Sequence, residues 1–185
     1  MSNQGLVGRI RSDLAVAILS CLAVSACGDS GPQEPSAASV PDLFGSQLYR
    51  ADGSTVGIEA LDGVAVIGIF FASHSCPACG GFTPLLLSAY EQLAEDGQSF
   101  EVVLVSLGAS ESMLLDYMTD WGMPWLAMPS QGSLANRLAK RYDVRWIPTL
   151  IIIDSQGNTI SVYGREELAQ EGVAAYDGWL ASAGG

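Results

Sequence analysis

Positive charge, histidine and cysteine are all scarce in this chain of 185 residues. It contains 8 Lys and Arg against 20 Asp and Glu, with one His and 4 Cys, and its formal net charge is −12. Nucleic-acid binding needs clustered Lys and Arg to neutralise phosphates, so the composition argues against a nucleic-acid partner. The acidic balance identifies no partner by itself, because an acidic solvated surface is ordinary for a soluble domain. The length suits one domain with a hydrophobic core, together with leader material.

The apolar run near the start of the chain is too short to cross a bilayer. Residues 14–24 (LAVAILSCLAV) are 11 in number and follow the basic Arg9 and Arg11. A spanning helix needs about 20 apolar residues, whereas the shorter run fits the central part of a signal peptide. Residues 24–27 (VSAC) then resemble the lipobox of bacterial lipoproteins. The alternatives are an ordinary secretory signal cleaved nearby and an uncleaved anchor.

The lipobox resemblance implies a division of the chain. Residues 1–26 would be a lipoprotein signal peptide, and Cys27 would become the lipidated first residue of the mature protein. Residues 27–41 are rich in Ser, Pro, Ala and Gly, which predicts a flexible tether, and residues 42–185 would form the domain. We therefore expect a lipoprotein of the cell envelope, anchored to a membrane and facing the periplasm. Gly28 rather than Asp follows Cys27, which favours the outer membrane.

Two cysteines remain after the leader is set aside. Cys21 lies in the predicted signal peptide and Cys27 would hold the lipid, which leaves Cys76 and Cys79. A structural zinc site needs four ligands, and the chain adds only His74 to this pair. Cys76 also stands at the start of a predicted helix, where unpaired N–H groups and the helix dipole stabilise a thiolate. The pair therefore indicates a redox-active dithiol. The alternative is an inert disulfide, but such a bridge closes a short loop and adds little stability.

Apolar runs and helical periodicity predict an α/β sandwich with a mixed sheet. Continuous apolar runs predict buried strands, and apolar residues recurring every three or four positions predict helices. The Cys pair follows the first buried strand, at the carboxyl end, where open α/β sheets place their sites. In chain order the predicted elements are a hairpin at 48–58, a strand at 64–71, a helix at 76–94 containing Pro84, a strand at 102–107, a helix at 110–121, a short strand or loop at 124–128, a helix at 133–142, a strand at 150–154, a strand at 159–162 and a final helix from about 165.

Four stretches resemble the thioredoxin superfamily, most closely its tryparedoxin and nucleoredoxin branch. They are residues 71–84 (FASHSCPACGGFTP), 100–106 (FEVVLVS), 123–129 (MPWLAMP) and 138–150 (LAKRYDVRWIPTL). The match covers about residues 42–170. It implies a thioredoxin fold, with a central mixed β-sheet flanked by helices, and a thiol–disulfide oxidoreductase that uses no cofactor and no metal.

Two positions depart from the pattern of that branch, and a third differs from ordinary thioredoxins. Ser75 stands where the branch carries a Trp before the first Cys, and Ala78 replaces its second Pro. Ordinary thioredoxins bury an acid six residues before the first Cys, where this chain has Phe70. The first departure affects the choice of partner, because the Trp normally shields the site. The last one leaves the proton acceptor of the second thiol unidentified.

The resemblance assigns a role to each thiol. Cys76 would attack a partner disulfide to form a mixed disulfide, and Cys79 would be the more buried thiol that resolves it. His74 lies two residues before Cys76. If its protonated ring lies close to Cys76, it would lower the pKa of that thiol, whereas an ordinary loop His is simply solvated.

The resemblance also implies where a partner chain binds. Ile147 and Pro148 match the cis-proline loop, which lies against the dithiol, and Ser75 and Pro77 flank the nucleophile on the other side. We expect these four residues to contact the substrate. Trp146, beside the loop, either takes over the shielding lost at Ser75 or packs at the rim of the core.

The expected function is a thiol–disulfide oxidoreductase of the cell envelope, acting as a reductase. Its partners would be protein thiols and disulfides and an unidentified electron donor, and the family fold works as a monomer. One alternative is a thiol peroxidase of the peroxiredoxin type, although Ser73 stands where those enzymes carry Thr. Others are a metal-handling protein that uses Cys76, Cys79 and His74, and a non-catalytic lipoprotein of the same fold.

Overall fold

The computed structural model describes residues 38–130 and 133–184. Their strands form one mixed sheet with the order β2-β1-β5-β4-β3-β6-β7. The helices are α1 (Val40–Phe44), α2 (Pro77–Glu95), α3 (Glu111–Asp120), α4 (Leu134–Arg141), α5 (Gly164–Glu171) and α6 (Ala175–Ala183). The strands are β1 (Gln47–Tyr49), β2 (Thr55–Gly57), β3 (Val66–Ala72), β4 (Phe100–Ser106), β5 (Leu126–Ala127), β6 (Thr149–Asp154) and β7 (Thr159–Ser161).

Strand β3 lies inside the sheet, between β4 and β6, and carries the chain to the Cys pair. All seven of its residues are buried, as a continuous apolar run predicts for a strand covered on both faces. It pairs in parallel with β4 and antiparallel with β6. The chain leaves β3 at Ala72 and enters α2 at Pro77, so the carboxyl end of the strand delivers Cys76 to the start of the helix.

Helices cover the two faces of the sheet unequally. One face, here called the α2 face, packs against α2, α3, α5 and α6, and its core includes Phe70, Cys79 and Tyr117. The opposite α4 face packs against α1 and α4 and includes Leu138 and Ile151. Alternate residues of β3 and β6 supply the two cores, because successive side chains of a strand point to opposite faces. The thioredoxin-type fold predicted from the sequence is confirmed.

Two helical segments differ from the predicted pattern. Helix α1 begins at Val40, two residues before the predicted start of the domain, and buries Val40, Leu43 and Phe44. The single predicted C-terminal helix is instead α5, a short 3₁₀ segment at Gly172–Ala174, and α6. Gly172 has a φ of 61°, a left-handed conformation that ends α5. A further 3₁₀ segment, Ile58–Leu61, follows the predicted hairpin.

The predicted leader lies outside the described residues. This applies to the signal peptide at 1–26, the lipid attachment at Cys27 and most of the tether at 27–41. Within residues 38–130 and 133–184, no helix combines the length and the apolar character needed to cross a membrane.

Candidate active site

Cys76 caps the N-terminus of α2. Its sulfur accepts a hydrogen bond from the backbone N–H of Cys79, with an N–Sγ distance of 3.2 Å. Pro77 follows at the first helical position, where its missing N–H has no cost. The same N–H also donates to the Cys76 carbonyl oxygen at 3.0 Å, so it is shared between that oxygen and the sulfur. The sulfur thus lies at the positive end of the helix dipole. Cys76 is half-buried, so it is the thiol of the pair that a partner can reach.

Cys79 lies one turn further along α2 and is fully buried on the α2 face. Burial, followed by a hydrogen bond with Cys76, raises the pKa of Cys79 to about 12. The two thiols of the pair therefore occupy different environments: Cys76 is accessible at a helix N-terminus, and Cys79 is buried and held as a neutral thiol. This asymmetry matches the attacking and resolving roles that the sequence predicts.

The loop before β6 lies against the attacking thiol. The Ile147–Pro148 peptide bond is cis, as predicted. The Cys76 thiol faces the carbonyl oxygen of Ile147 at 3.6 Å. Ile147 packs against the cores of both faces of the sheet, so the loop divides the α2 face from the α4 face. Cys76 and Ile147, which are 71 residues apart in the sequence, are thus in contact at the sulfur.

The position of the buried acid of ordinary thioredoxins is apolar in this protein. Phe70 is fully buried in β3. Its ring centroid lies 5.8 Å from that of Phe82 and 6.2 Å from that of Trp125, the latter edge-on. This aromatic cluster leaves no carboxylate at that position to accept the proton of Cys79.

A pair of buried hydroxyls below Cys79 was missed by the sequence reasoning. The Thr83 hydroxyl donates to the carbonyl oxygen of Cys79 at 2.8 Å. Its oxygen lies 2.9 Å from the Tyr117 hydroxyl, which must therefore be the donor in that second bond. Burial raises the pKa of Tyr117 to about 12. Thr83 belongs to the quoted motif, but nothing in the sequence links it to Tyr117 on α3.

The imidazole of His74 contacts two side chains of α3. Its Nε2 lies 3.2 Å from an Asp120 carboxylate oxygen, and its ring stands 5.5 Å from the ring of Tyr117, centroid to centroid. Asp120 was not among the predicted site residues. His74 as a modulator of the Cys76 pKa stays a prediction, and its described contacts are with α3. Ser75 is exposed, and its hydroxyl lies 3.2 Å from that of Ser73.

Among the residues that the structure describes, no three His, Cys, Asp or Glu side chains are grouped so as to hold a metal ion. The described geometry is that of a dithiol able to exchange with a disulfide: one accessible sulfur, one buried sulfur and an adjacent loop whose Ile147 carbonyl faces the accessible sulfur.

A family model described as thioredoxin-like matches residues 63–159, which include β3, the Cys pair and the cis-proline loop. The chain belongs to the thioredoxin-like family. Nucleoredoxin from Danio rerio is 36% identical to this thioredoxin-like chain over 131 residues, which are 70% of this chain and 31% of that protein. The chain thus spans about a third of the length of the curated relatives that it matches.

Solved structures agree with this membership. A thioredoxin from Wuchereria bancrofti is 35% identical, has a TM-score of 0.64 and is matched over 76% of this chain and 97% of its own. Tryparedoxin I from Crithidia fasciculata is 32% identical, with a TM-score of 0.62, over 69% of this chain and 87% of its own. Both nucleoredoxin and tryparedoxin are relatives, as the sequence resemblance predicted. The thioredoxin-like protein is therefore a member of an oxidoreductase family.

Proposed function

We propose that this protein is a thiol–disulfide oxidoreductase that reduces disulfides of protein clients in the cell envelope. The observation that carries the proposal is the asymmetry of the Cys pair. Cys76 is accessible and its sulfur accepts a hydrogen bond from the N–H of Cys79 at 3.2 Å, whereas Cys79 is buried with a raised pKa. A structural disulfide would need neither the accessible sulfur nor the loop carbonyl that faces it.

The reaction follows from this geometry in two exchanges. The Cys76 thiolate attacks one sulfur of the client disulfide, a bond forms between Cys76 and the client, and the other client sulfur leaves as a thiolate that takes a proton from water. Cys79 then loses its proton and attacks the Cys76 sulfur, which forms the Cys76–Cys79 disulfide and releases the second client thiol. The client gains two electrons, and the protein loses two. A dithiol donor must return them before the next turnover.

The membrane-tethered location is part of the proposal. It is supported by the apolar run at 14–24, the VSAC sequence that ends at Cys27 and the composition of residues 27–41. In the native host, Cys27→Ser should move the protein from the membrane fraction to the soluble envelope fraction. Cys21→Ser is the matched control and should leave it in the membrane. Retention of the Cys27→Ser protein in the membrane would remove the lipid anchor from the proposal.

The catalytic proposal is tested with the full chain carrying Cys21→Ser and Cys27→Ser, here called the two-thiol protein. Its reduction potential is measured by alkylation across a thiol redox series, together with its turnover of insulin disulfides. A value near about −270 mV supports a reductase, and one near about −120 mV indicates an oxidant instead. Cys76→Ser should abolish turnover. The absence of any two-electron transition would overturn the redox function and favour a metal-handling or binding role.

A further inference from the structure

Helix α4 concentrates positive charge in a chain that has little of it. Three of the 8 Lys and Arg residues lie on this helix, and it contains no Asp or Glu. Arg137, Lys140 and Arg141 are three and four residues apart, so they share one side of the helix, and all three are exposed. The opposite side of α4 is buried in the core of the α4 face. The three exposed cations are here called the α4 strip.

The α4 strip has no carboxylate partner in the part of the chain that the structure describes. The three ion pairs found there are made by other cations. Asp42 of α1 lines a cleft of about 210 Å³ together with Arg137 and Arg141, but its carboxylate accepts hydrogen bonds from Ser39. Arg137 donates to the hydroxyl of Ser133, which is a neutral partner. The described residues therefore leave the positive charge of the strip available to an anionic partner.

The predicted tether reaches the domain beside the α4 strip. Ala38 belongs to the predicted tether and lines the same cleft as Arg137 and Arg141. Cys27, the predicted lipid attachment, comes 11 residues before Ala38 in the sequence. A fully extended chain advances about 3.3–3.6 Å per residue, so a segment of that length spans at most about 40 Å. A lipid on Cys27 would therefore keep the strip within this distance of the membrane.

The dithiol lies at the other end of the central strands from Ala38. A side chain at Gly157, in the turn between β6 and β7, would collide with the carbonyl oxygen of Ala38, so these two residues are in close contact. The turn follows Asp154, which pairs with Val66 at the start of β3, whereas Cys76 follows the end of β3. A strand of seven residues is about 20 Å long. The end of the domain that receives the tether is thus separated from the end that carries the dithiol.

Charge and position together identify the partner of the strip as an anionic membrane surface. Lys and Arg side chains are attracted to the phosphates of anionic lipids, and each one near the surface adds to the attraction. At physiological ionic strength, charges more than about 8 Å from the surface are largely screened. The acids elsewhere on this chain, whose formal net charge is −12, therefore oppose docking through the strip only weakly. They would repel the membrane in orientations that place them against it.

We propose that the α4 strip is a membrane-docking surface that binds the phosphate-bearing headgroups of anionic lipids. The lipid on Cys27 holds the chain at the membrane, and the strip fixes how the domain is turned, with the dithiol end directed away from the tether and available to clients. This inference rests on the proposed function, because the chain must be anchored at Cys27 for the strip to meet the membrane.

The test uses Lys140, which is the only Lys of the chain, as a reporter within the strip. The full chain is purified in detergent from the membrane fraction of its native host and added to preformed vesicles. The vesicles contain phosphatidylcholine alone or with about 30% of the anionic phosphatidylglycerol. Acetylation of Lys140 by N-succinimidyl acetate, an uncharged reagent that the anionic surface does not repel, is followed by mass spectrometry.

On anionic vesicles at low salt, Lys140 should be acetylated about tenfold more slowly than on neutral vesicles, and about 1 M NaCl should remove the difference. The strip variant, Arg137→Gln with Arg141→Gln, keeps the reporter and should show about twofold slowing or less. Arg50→Gln with Arg165→Gln is the matched control, because it removes the same charge outside α4, and it should retain the full slowing. The strip variant should reduce insulin disulfides at the unmodified rate, which shows that it is folded.

The outcomes separate the inference from the proposed function. Equal acetylation rates on neutral and anionic vesicles overturn the docking surface and leave the anchor and the oxidoreductase intact. Slow acetylation in detergent and on both kinds of vesicle also overturns it, because protein would then cover the strip, either a second copy or another segment of this chain. Equal slowing in the strip variant and the unmodified protein shows that the membrane binds elsewhere. A chain recovered only from the soluble envelope fraction refutes the proposed lipid anchor, and the docking surface with it.

Discussion

The burial of Cys79 predicts how the second thiol exchange depends on pH. A thiol with a pKa of about 12 is ionised at pH 7 to about one part in 10⁵, compared with about one part in 10² for the reference value of 9.0. The reactive fraction is thus about 10³-fold smaller than for an ordinary thiol. Burial is the largest cause of the shift, and it persists when Cys76 is held in a mixed disulfide.

The sign of the dependence follows directly. Below its pKa, the thiolate fraction of Cys79 rises tenfold for each pH unit. Between pH 6 and pH 9, the rate of resolution should therefore rise by about tenfold for each pH unit. The attacking step need not follow this slope, because Cys76 lies at the helix N-terminus in a different environment. The two exchanges should therefore separate most clearly at low pH.

The assay mixes the reduced two-thiol protein with a substoichiometric amount of the symmetrical nitrothiobenzoate disulfide in a stopped-flow instrument. Attack by Cys76 releases the first coloured thiolate, and attack by Cys79 on the mixed disulfide releases the second. The Cys79→Ser variant, which lacks the resolving thiol, should release only the first. A second phase whose rate is constant between pH 6 and pH 8 would refute the reasoning, because it would mean that an internal base accepts the Cys79 proton.

Three substitutions test the packing that holds the site. Phe70→Ala should lower the free energy of unfolding by about 3–5 kcal/mol in denaturant titration, since it empties a fully buried aromatic site, and a loss under about 1 kcal/mol would contradict that packing. Gly164→Ala should lower the free energy of unfolding by about 1–3 kcal/mol, because a Cβ there would lie 2.7 Å from a side-chain carbon of Ile152. An unchanged melting temperature would show that this contact relaxes freely. Tyr117→Phe should lower the free energy of unfolding by about 1 kcal/mol, because it removes the hydrogen bond to Thr83. The reduction potential of the Cys pair should stay unchanged, and a shifted potential would instead connect the Tyr117 hydroxyl to the thiols.

The sequence predicted the central sheet because the burial of its strands leaves a clear pattern. β3, β4 and β6 are continuous apolar runs, and the structure places them side by side as the core of the sheet. The short α1 left a weaker signal, since five residues cannot show a helical period. The sequence feature that indicates this helix is a capping box, in which the side chains of Ser39 and Asp42 each accept a hydrogen bond from the other's backbone N–H. Proline, serine and alanine around it predicted a tether instead.

The sequence named the candidate residues that share a motif and missed the neighbours that do not. Cys76, Cys79 and Pro148 belong to short recognisable sequences. In the structure the Cys76 sulfur accepts a hydrogen bond from the Cys79 N–H, and the Ile147–Pro148 bond is cis. Tyr117 and Asp120 come from α3, more than thirty residues beyond the Cys pair in the sequence, and they meet the site only through the packing of α3 on the same face. Contacts of this kind depend on the tertiary fold and carry no local signature.

Two differences from related proteins are linked through the proton of Cys79: Phe70, where ordinary thioredoxins bury an acid, and Ser75, where the branch carries a Trp. Phe70 replaces the buried acid, so the described interior around Cys79 offers aromatic rings and a Tyr117 hydroxyl whose pKa is raised, neither of which is a base near pH 7. The proton must then leave toward the solvent side of the site.

Ser75 stands on that side in place of a shielding Trp, and it is exposed. A small polar residue there leaves the half-buried Cys76 open to water, from which hydroxide can approach the pair. Restoring the Trp with Ser75→Trp should therefore reduce the rate of the second phase at pH 7 more than that of the first, and equal effects on the two phases would contradict this link.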